Sequence, residues 1–215
     1  MSALDAAIAT APVIAVIRHD DPAVAERIAR AAVDGGIRLV EVTFTVPRAH
    51  DLIARLAGDL ADVVVGAGTV LTTEQVDAAS AAGAGFLVSP VTDAGVLARA
   101  AAQGVPFIPG AFTPTEVAAA ARLGAHAVKV FPAATLGTGF LTSLAEVLPH
   151  VKLLPTGGIA PEKTGEWIAA GATAVGIAGA LKTAWQRGGA DAVTAVAATA
   201  IAAARSTATN TRSAA

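Results

Sequence analysis

The chain predicts a single (β/α)8 barrel, an α/β fold built around one core, and three observations carry that expectation. Short apolar, β-branched runs alternate with Ala-rich helical stretches along the 215 residues. The runs are continuous rather than alternating, as in parallel strands covered on both faces. They number eight, at about 13–18, 37–44, 63–67, 85–89, 105–109, 127–131, 151–155 and 173–178, the count that closes such a barrel. An open doubly wound sheet would usually carry its glycine fingerprint at the first strand–helix turn. Here that turn reads Arg18-His19-Asp20-Asp21.

The elements follow in order. Residues 2–10 predict a short extra helix ahead of the first strand. Asp21 is a candidate N-cap with Pro22 at the first helical position, and Gly35-Gly36 closes that helix. Thr72 to Gln75 opens another, ended by Gly83, and Thr113-Pro114-Thr115-Glu116 matches a capping box that leads to Gly124. Ala160-Pro161-Glu162 begins one that stops at Gly171. The barrel is expected to occupy residues 1–204. From Arg205 to the end, 205–215 has no apolar period and is expected to be a disordered tail.

Composition narrows the function. Hydrophobic residues make up 54% of the chain, mostly Ala and Val rather than aromatic, and the net charge is −2 with no basic cluster. A nucleic-acid partner therefore has no electrostatic footprint. There is no cysteine, so disulfides, zinc–thiolate sites and thiol nucleophiles are excluded. The uncharged stretch from Trp167 to Leu181 is broken by Gly171, Gly176 and Gly179, which suits strand–helix punctuation better than a membrane span. The start lacks the basic-then-apolar order of a signal peptide, and a cytoplasmic setting is expected. No His/Asp/Glu cluster suggests a metal, and no cofactor is expected.

Strand C-termini carry the chemistry of this fold. In Ala127-Val128-Lys129-Val130-Phe131-Pro132, Lys129 and Phe131 share one strand face. A lysine held inside a protein has its ammonium disfavoured, as a Schiff-base-forming amine requires. Glu41 shares a face with Thr43 and Thr45 on the second strand. An amine nucleophile and a carboxylate acid/base are the minimum equipment for carbonyl chemistry through an imine; a structural ion pair is the alternative. Thr156-Gly157-Gly158 after the seventh strand, with Gly179 after the eighth, occupies the usual phosphate position and implies a phosphorylated substrate. Arg18 is the one arginine expected at the barrel mouth, suited to clamping a carboxylate, whereas Arg27, Arg30 and Arg55 fall on helices. A phosphate-binding isomerase or synthase barrel would share the glycine loops without needing Lys129 opposite Glu41. A non-catalytic sugar-phosphate-binding barrel would leave Lys129 inert.

With these residues in place, the chain resembles the 2-dehydro-3-deoxy-6-phosphogluconate (KDPG) aldolase and 4-hydroxy-2-oxoglutarate aldolase family over about residues 12–182. The resemblance rests on Val40-Glu41-Val42-Thr43, Val65-Gly66-Ala67-Gly68-Thr69-Val70, Lys129-Val130-Phe131-Pro132 and Leu154-Pro155-Thr156-Gly157-Gly158-Ile159. It implies a metal-free class I aldolase that cleaves a 2-keto-3-deoxy-6-phospho sugar acid to pyruvate and glyceraldehyde 3-phosphate. It further implies that Lys129 forms the Schiff base, Glu41 shuttles protons and Thr69 holds the pyruvate moiety. Phe131 and Pro90 would line its pocket, while Gly157, Gly158 and Gly179 bind phosphate through backbone amides. A homotrimer is also implied. The chain departs from the pattern at Thr45, where some members carry the carboxylate-binding arginine, and at Gly179, where a serine is often found.

Overall fold

The computed structural model describes residues 2–212. A short helix, α1 (Ala3–Thr10), precedes the first strand, with the Ser2 hydroxyl accepting from the Asp5 amide at its N-cap. Then β1 (Val13–Ile17), α2 (Pro22–Asp34), β2 (Leu39–Thr43), α3 (Ala49–Asp59), β3 (Val64–Gly68) and α4 (Thr73–Ala81) alternate strictly. They are followed by β4 (Leu87–Val88), α5 (Ala94–Ala102), β5 (Phe107–Ile108), β6 (Gly110–Ala111) and α6 (Pro114–Arg122). The chain continues through β7 (Val128–Val130), α7 (Ala133–Val147, kinked at Gly137), β8 (Leu153–Pro155), a 3-10 turn (Pro161–Lys163), α8 (Thr164–Ala169), β9 (Val175–Ile177) and α9 (Gly179–Arg212, two helical segments joined by a kink at Gly188 and Gly189).

The expected caps form. The Asp21 carboxylate accepts from the amides of Ala23 and Val24. Thr72 with Gln75, and Thr113 with Glu116, make reciprocal capping boxes. Each such cap is worth about 1 kcal/mol, so both helices start where the sequence marks them.

All strand pairs are parallel. β5-β4-β3-β2-β1-β9 form one sheet and β6-β7-β8 another. The fifth expected strand is split at Pro109, which has no amide to offer a ladder. Its carbonyl still accepts from the Lys129 amide at 2.8 Å, as the Phe107 carbonyl does from His126 at 2.9 Å. At the other margin, bridges pair Leu153 with Ala172 and Thr156 with Gly176. Backbone contacts thus join the sheets at both margins, giving a curled sheet wrapped by helices.

Side chains alternate between two layers. On the convex side, Ile17, Val40 and Val42 pack with Ile28 of α2, Leu52 and Ile53 of α3, and Val193 and Ala197 of α9. On the concave side, Ile14, Val16, Leu39, Phe86, Val88, Ile108 and Leu154 form a separate cluster that Leu4 and Ile8 of α1 close. Fully burying each Ile or Leu contributes about 1.5–3 kcal/mol. The tail expected from Arg205 differs from the observed backbone: α9 runs through Arg212, and the Arg205 guanidinium donates to the Thr10 carbonyl at 3.0 Å. Residues 213–215 of that expectation lie outside the described residues.

Candidate active site

Lys129 and Glu41 project into the concave interior from different strands. Register places Glu41 beside Val16 of β1 and Gly66 of β3, and Lys129 beside Gly110 of β6 and Leu154 of β8. Lys129 is 6% exposed and Glu41 1%, and their Nζ and Oε1 atoms lie 3.7 Å apart. The Lys129 Nζ also stands 5.3 Å from the centroid of the Phe131 ring.

Glycine makes room for the carboxylate. A Cβ at Gly68 would collide with Glu41 Oε1, and one at Gly66 would lie 2.6 Å from the Phe86 ring. Glu41 Oε1 accepts no hydrogen bond. A buried carboxylate oxygen without a donor is costly unless something completes it, which suits a group that must exchange protons with a ligand. Thr69, next along the chain, adopts φ +56°, a conformation uncommon for a β-branched residue and costing about 1–3 kcal/mol.

A cavity of about 260 Å3 opens above the lysine, its wall including Val16, Arg18, Lys129, Phe131, Thr156 and Gly179. Arg18 follows β1 directly and is exposed. Thr156 is buried, and its hydroxyl has no hydrogen-bond partner; a Cβ at Gly176 would occupy the space that it fills. Gly157 and Gly158 adopt φ +99° and +77°, where a side chain is strained. The carbonyls of Thr156 and Gly157 accept from the Ala133 and Ala134 amides at 2.8 and 3.0 Å. Gly179 and Leu181, in the first turn of α9, also line the cavity, and the first amides of a helix have no intrahelical acceptor.

The structure therefore brings Lys129, Arg18, Phe131, Thr156, Gly157 and Gly179 to one cavity, with Glu41 behind the lysine. Thr69 and Pro90 stand at the ends of β3 and β4, outside the cavity wall. Pro90 packs its backbone against Gly110, and Gly158 lies against Ala134 beyond the rim. The sequence reading missed Val16, Ile28, Ala178, Leu181 and Lys182, which also line the cavity. The first four read as ordinary core residues. Lys182 did carry a signal, a cation three residues after Gly179 with no acidic residue in the first turn of α9.

A sequence model described as KDPG and KHG aldolase matches residues 4–196. The chain belongs to the KDPG and KHG aldolase family. It is an aldolase, a lyase that breaks a carbon–carbon bond. It is 44% identical over 159 residues to the 2-dehydro-3-deoxy-phosphogluconate aldolase of Treponema pallidum, covering 74% of each chain. It is 34% identical over 177 residues to the 2-dehydro-3-deoxy-6-phosphogalactonate aldolase of Escherichia coli, covering 81% of this chain and 86% of the relative. Among solved structures, KDPG aldolase from Legionella pneumophila, with pyruvate captured at low pH as a covalent carbinolamine intermediate, superposes with a TM-score of 0.80. That pair shares 31% identity and covers 92% of this chain and 97% of the other.

Proposed function

We propose that this KDPG-family aldolase works through an imine on Lys129, with 2-dehydro-3-deoxy-6-phosphogluconate as its substrate. The amine adds to the C2 ketone, giving a carbinolamine that loses water to an iminium ion. Removal of the C4 hydroxyl proton then breaks the C3–C4 bond. Its electrons flow to the iminium nitrogen, leaving an enamine and releasing glyceraldehyde 3-phosphate. Protonation at C3 and hydrolysis return pyruvate and the free amine. Glu41 is the group placed to carry these protons, and its undonated Oε1 near Nζ is consistent with that work. Arg18 would clamp the pyruvate carboxylate, with Thr69 and Pro90 bounding the pyruvate end and Phe131 and Thr156 the wall. Amides of Gly157, Gly158 and Gly179 would take the phosphate.

The observation that carries this reading is the buried Lys129–Glu41 pair, with Lys129 opening onto a cavity whose lining includes Gly157 and Gly179. The experiment is to incubate the protein with pyruvate, reduce with borohydride and map the adduct. Modification confined to Lys129 is expected; an unmodified Lys129 sinks the imine mechanism. Turnover of the C4 epimers, gluconate against galactonate, then settles the sugar acid.

Three finer readings accompany it. The backbone bridges at both margins of the curled sheet favour closure into an eight-stranded (β/α)8 barrel, with residues 1–204 as the catalytic unit and 205–215 dispensable to it. Exposed Leu71, Val91 and Phe112 on the loops after β3, β4 and β6 favour a homotrimer that covers them. A cytoplasmic location suits a phosphorylated substrate whose charge keeps it from crossing membranes.

A further inference from the structure

Lys182 lines the same cavity as Lys129 and Arg18, yet the reaction outlined above gives it no task. It sits in the first turn of α9, its amide donating to the Ala178 carbonyl at 3.2 Å. Helix N-termini carry partial positive charge, so a cation there is disfavoured and an acidic residue is the usual occupant. This turn has none. Among the described residues, no ion pair involves the Lys182 side chain. A cation set against a helix dipole without a counter-ion becomes favourable when an anion shares the turn.

Two further observations indicate an anion in this cavity. Thr156 lines the cavity while being 2% exposed, and its hydroxyl has no hydrogen-bond partner. Gly179, at the mouth of the same turn, contributes no side chain, and a Cβ built on it would meet nothing within 4 Å. Backbone amides there can orient an anion but supply no full charge. Lys182 can supply one, as a mobile point charge reaching in from the rim.

We infer that Lys182 is the specificity-determining residue for the terminal phosphate, pairing its ammonium with the phosphate dianion and so setting the preference for phosphorylated over unphosphorylated keto acids. This rests on the aldolase reading above. Lys182 touches the end of the substrate remote from the breaking bond, so its contribution falls on binding. A charge-assisted contact near the surface is screened by salt.

The test compares wild type with Lys182→Met and Lys182→Glu, on the 6-phosphorylated keto acid and on its dephosphorylated form, at fixed ionic strength. The expected result is a fall of about tenfold in the ratio of the two kcat/KM values for Lys182→Met, and about a hundredfold for Lys182→Glu, the loss lying in KM. Competitive inhibition by inorganic phosphate should weaken in parallel. Gly179→Ser in the Lys182→Met background, adding a hydroxyl where space is open, should recover part of the ratio. An unchanged ratio, or equal loss on both substrates, overturns the inference. Borohydride trapping of pyruvate on the wild-type protein separates the two failures. If trapping succeeds and the ratio stays put, only the role of Lys182 falls; if trapping fails, the aldolase reading falls first.

Discussion

At the scale of single residues, the Lys129–Glu41 pair can be tested as one unit. Attraction between charges in a buried pair is largely offset by desolvation, so removing both costs little. Removing one leaves an uncompensated charge, at about 3–5 kcal/mol. Lys129→Met should therefore lower the denaturant midpoint strongly, and Lys129→Met with Glu41→Gln should recover most of the loss. If the double variant is as unstable as the sum of the singles, the two groups are not coupled. Glu41→Gln alone keeps the shape that Gly68 accommodates while removing the proton carrier. Its kcat should fall by about a hundredfold or more, read in a coupled assay for pyruvate. A further contrast concerns the carboxylate clamp. Arg18→Ala should raise KM for pyruvate in the reverse reaction more than Thr45→Ala does, because Thr45 is occupied with the Thr43 hydroxyl at 2.7 Å. Equal effects would place the clamp elsewhere.

At the scale of elements, α1 ties the chain's start to the lower end of the sheet. The Asp5 carboxylate accepts from Lys152 Nζ at 2.7 Å and lies 3.1 Å from His126 Nε2. The hydrogen bond from Lys152, then that from Ser2, holds the Asp5 carboxyl well below the usual carboxylate range against the opposing cost of burial. A depressed carboxyl pKa contributes stability above its unfolded value of about 3.9, and that contribution is lost as pH falls through the folded value. Asp5→Asn should therefore be less stable than wild type at neutral pH, with the gap in urea midpoint shrinking as the solution is acidified. A gap independent of pH would assign the loss to packing of Leu4 and Ile8 instead.

The same element shows what the sequence makes legible. Helix 2–10 could be read because its cap and its apolar spacing are local signals, and so could the starts at Asp21, Thr72 and Thr113. The break at Pro109 could not, because whether a missing amide interrupts a ladder depends on which neighbour would have accepted from it. The length of α9 was hidden for a related reason: its tie to Thr10 through Arg205 spans almost the whole sequence. At the site, Lys129 and Glu41 stood out as charges inside apolar runs. Lys182 carried only the weaker signal of a cation in a first helical turn without an acidic residue, which gains meaning once the cavity beside it is known.

At the scale of the whole molecule, three bulky apolar side chains remain in solvent around one edge of the mouth. Leu71 is 47% exposed, Val91 51% and Phe112 41%, on the loops after β3, β4 and β6. Single exposed apolar residues need no explanation, but a group on successive loops marks a surface that association would cover. If three copies close around this face, the mass in solution is about 63 kDa, three times the 21.1 kDa chain. Phe112→Glu would place a charge in each buried copy of the contact. Its ring makes no hydrogen bond, and the hydrogen bond that its backbone N–H donates to the Glu116 carboxylate does not involve the side chain being replaced. Light scattering should then report the 21.1 kDa species, while borohydride trapping at Lys129 persists, because every group placed in the cavity comes from one chain. A variant that stays at the larger mass moves the interface to another face. A wild type already at the smaller mass removes the trimer, and leaves these side chains as an apolar rim around a monomer's active site.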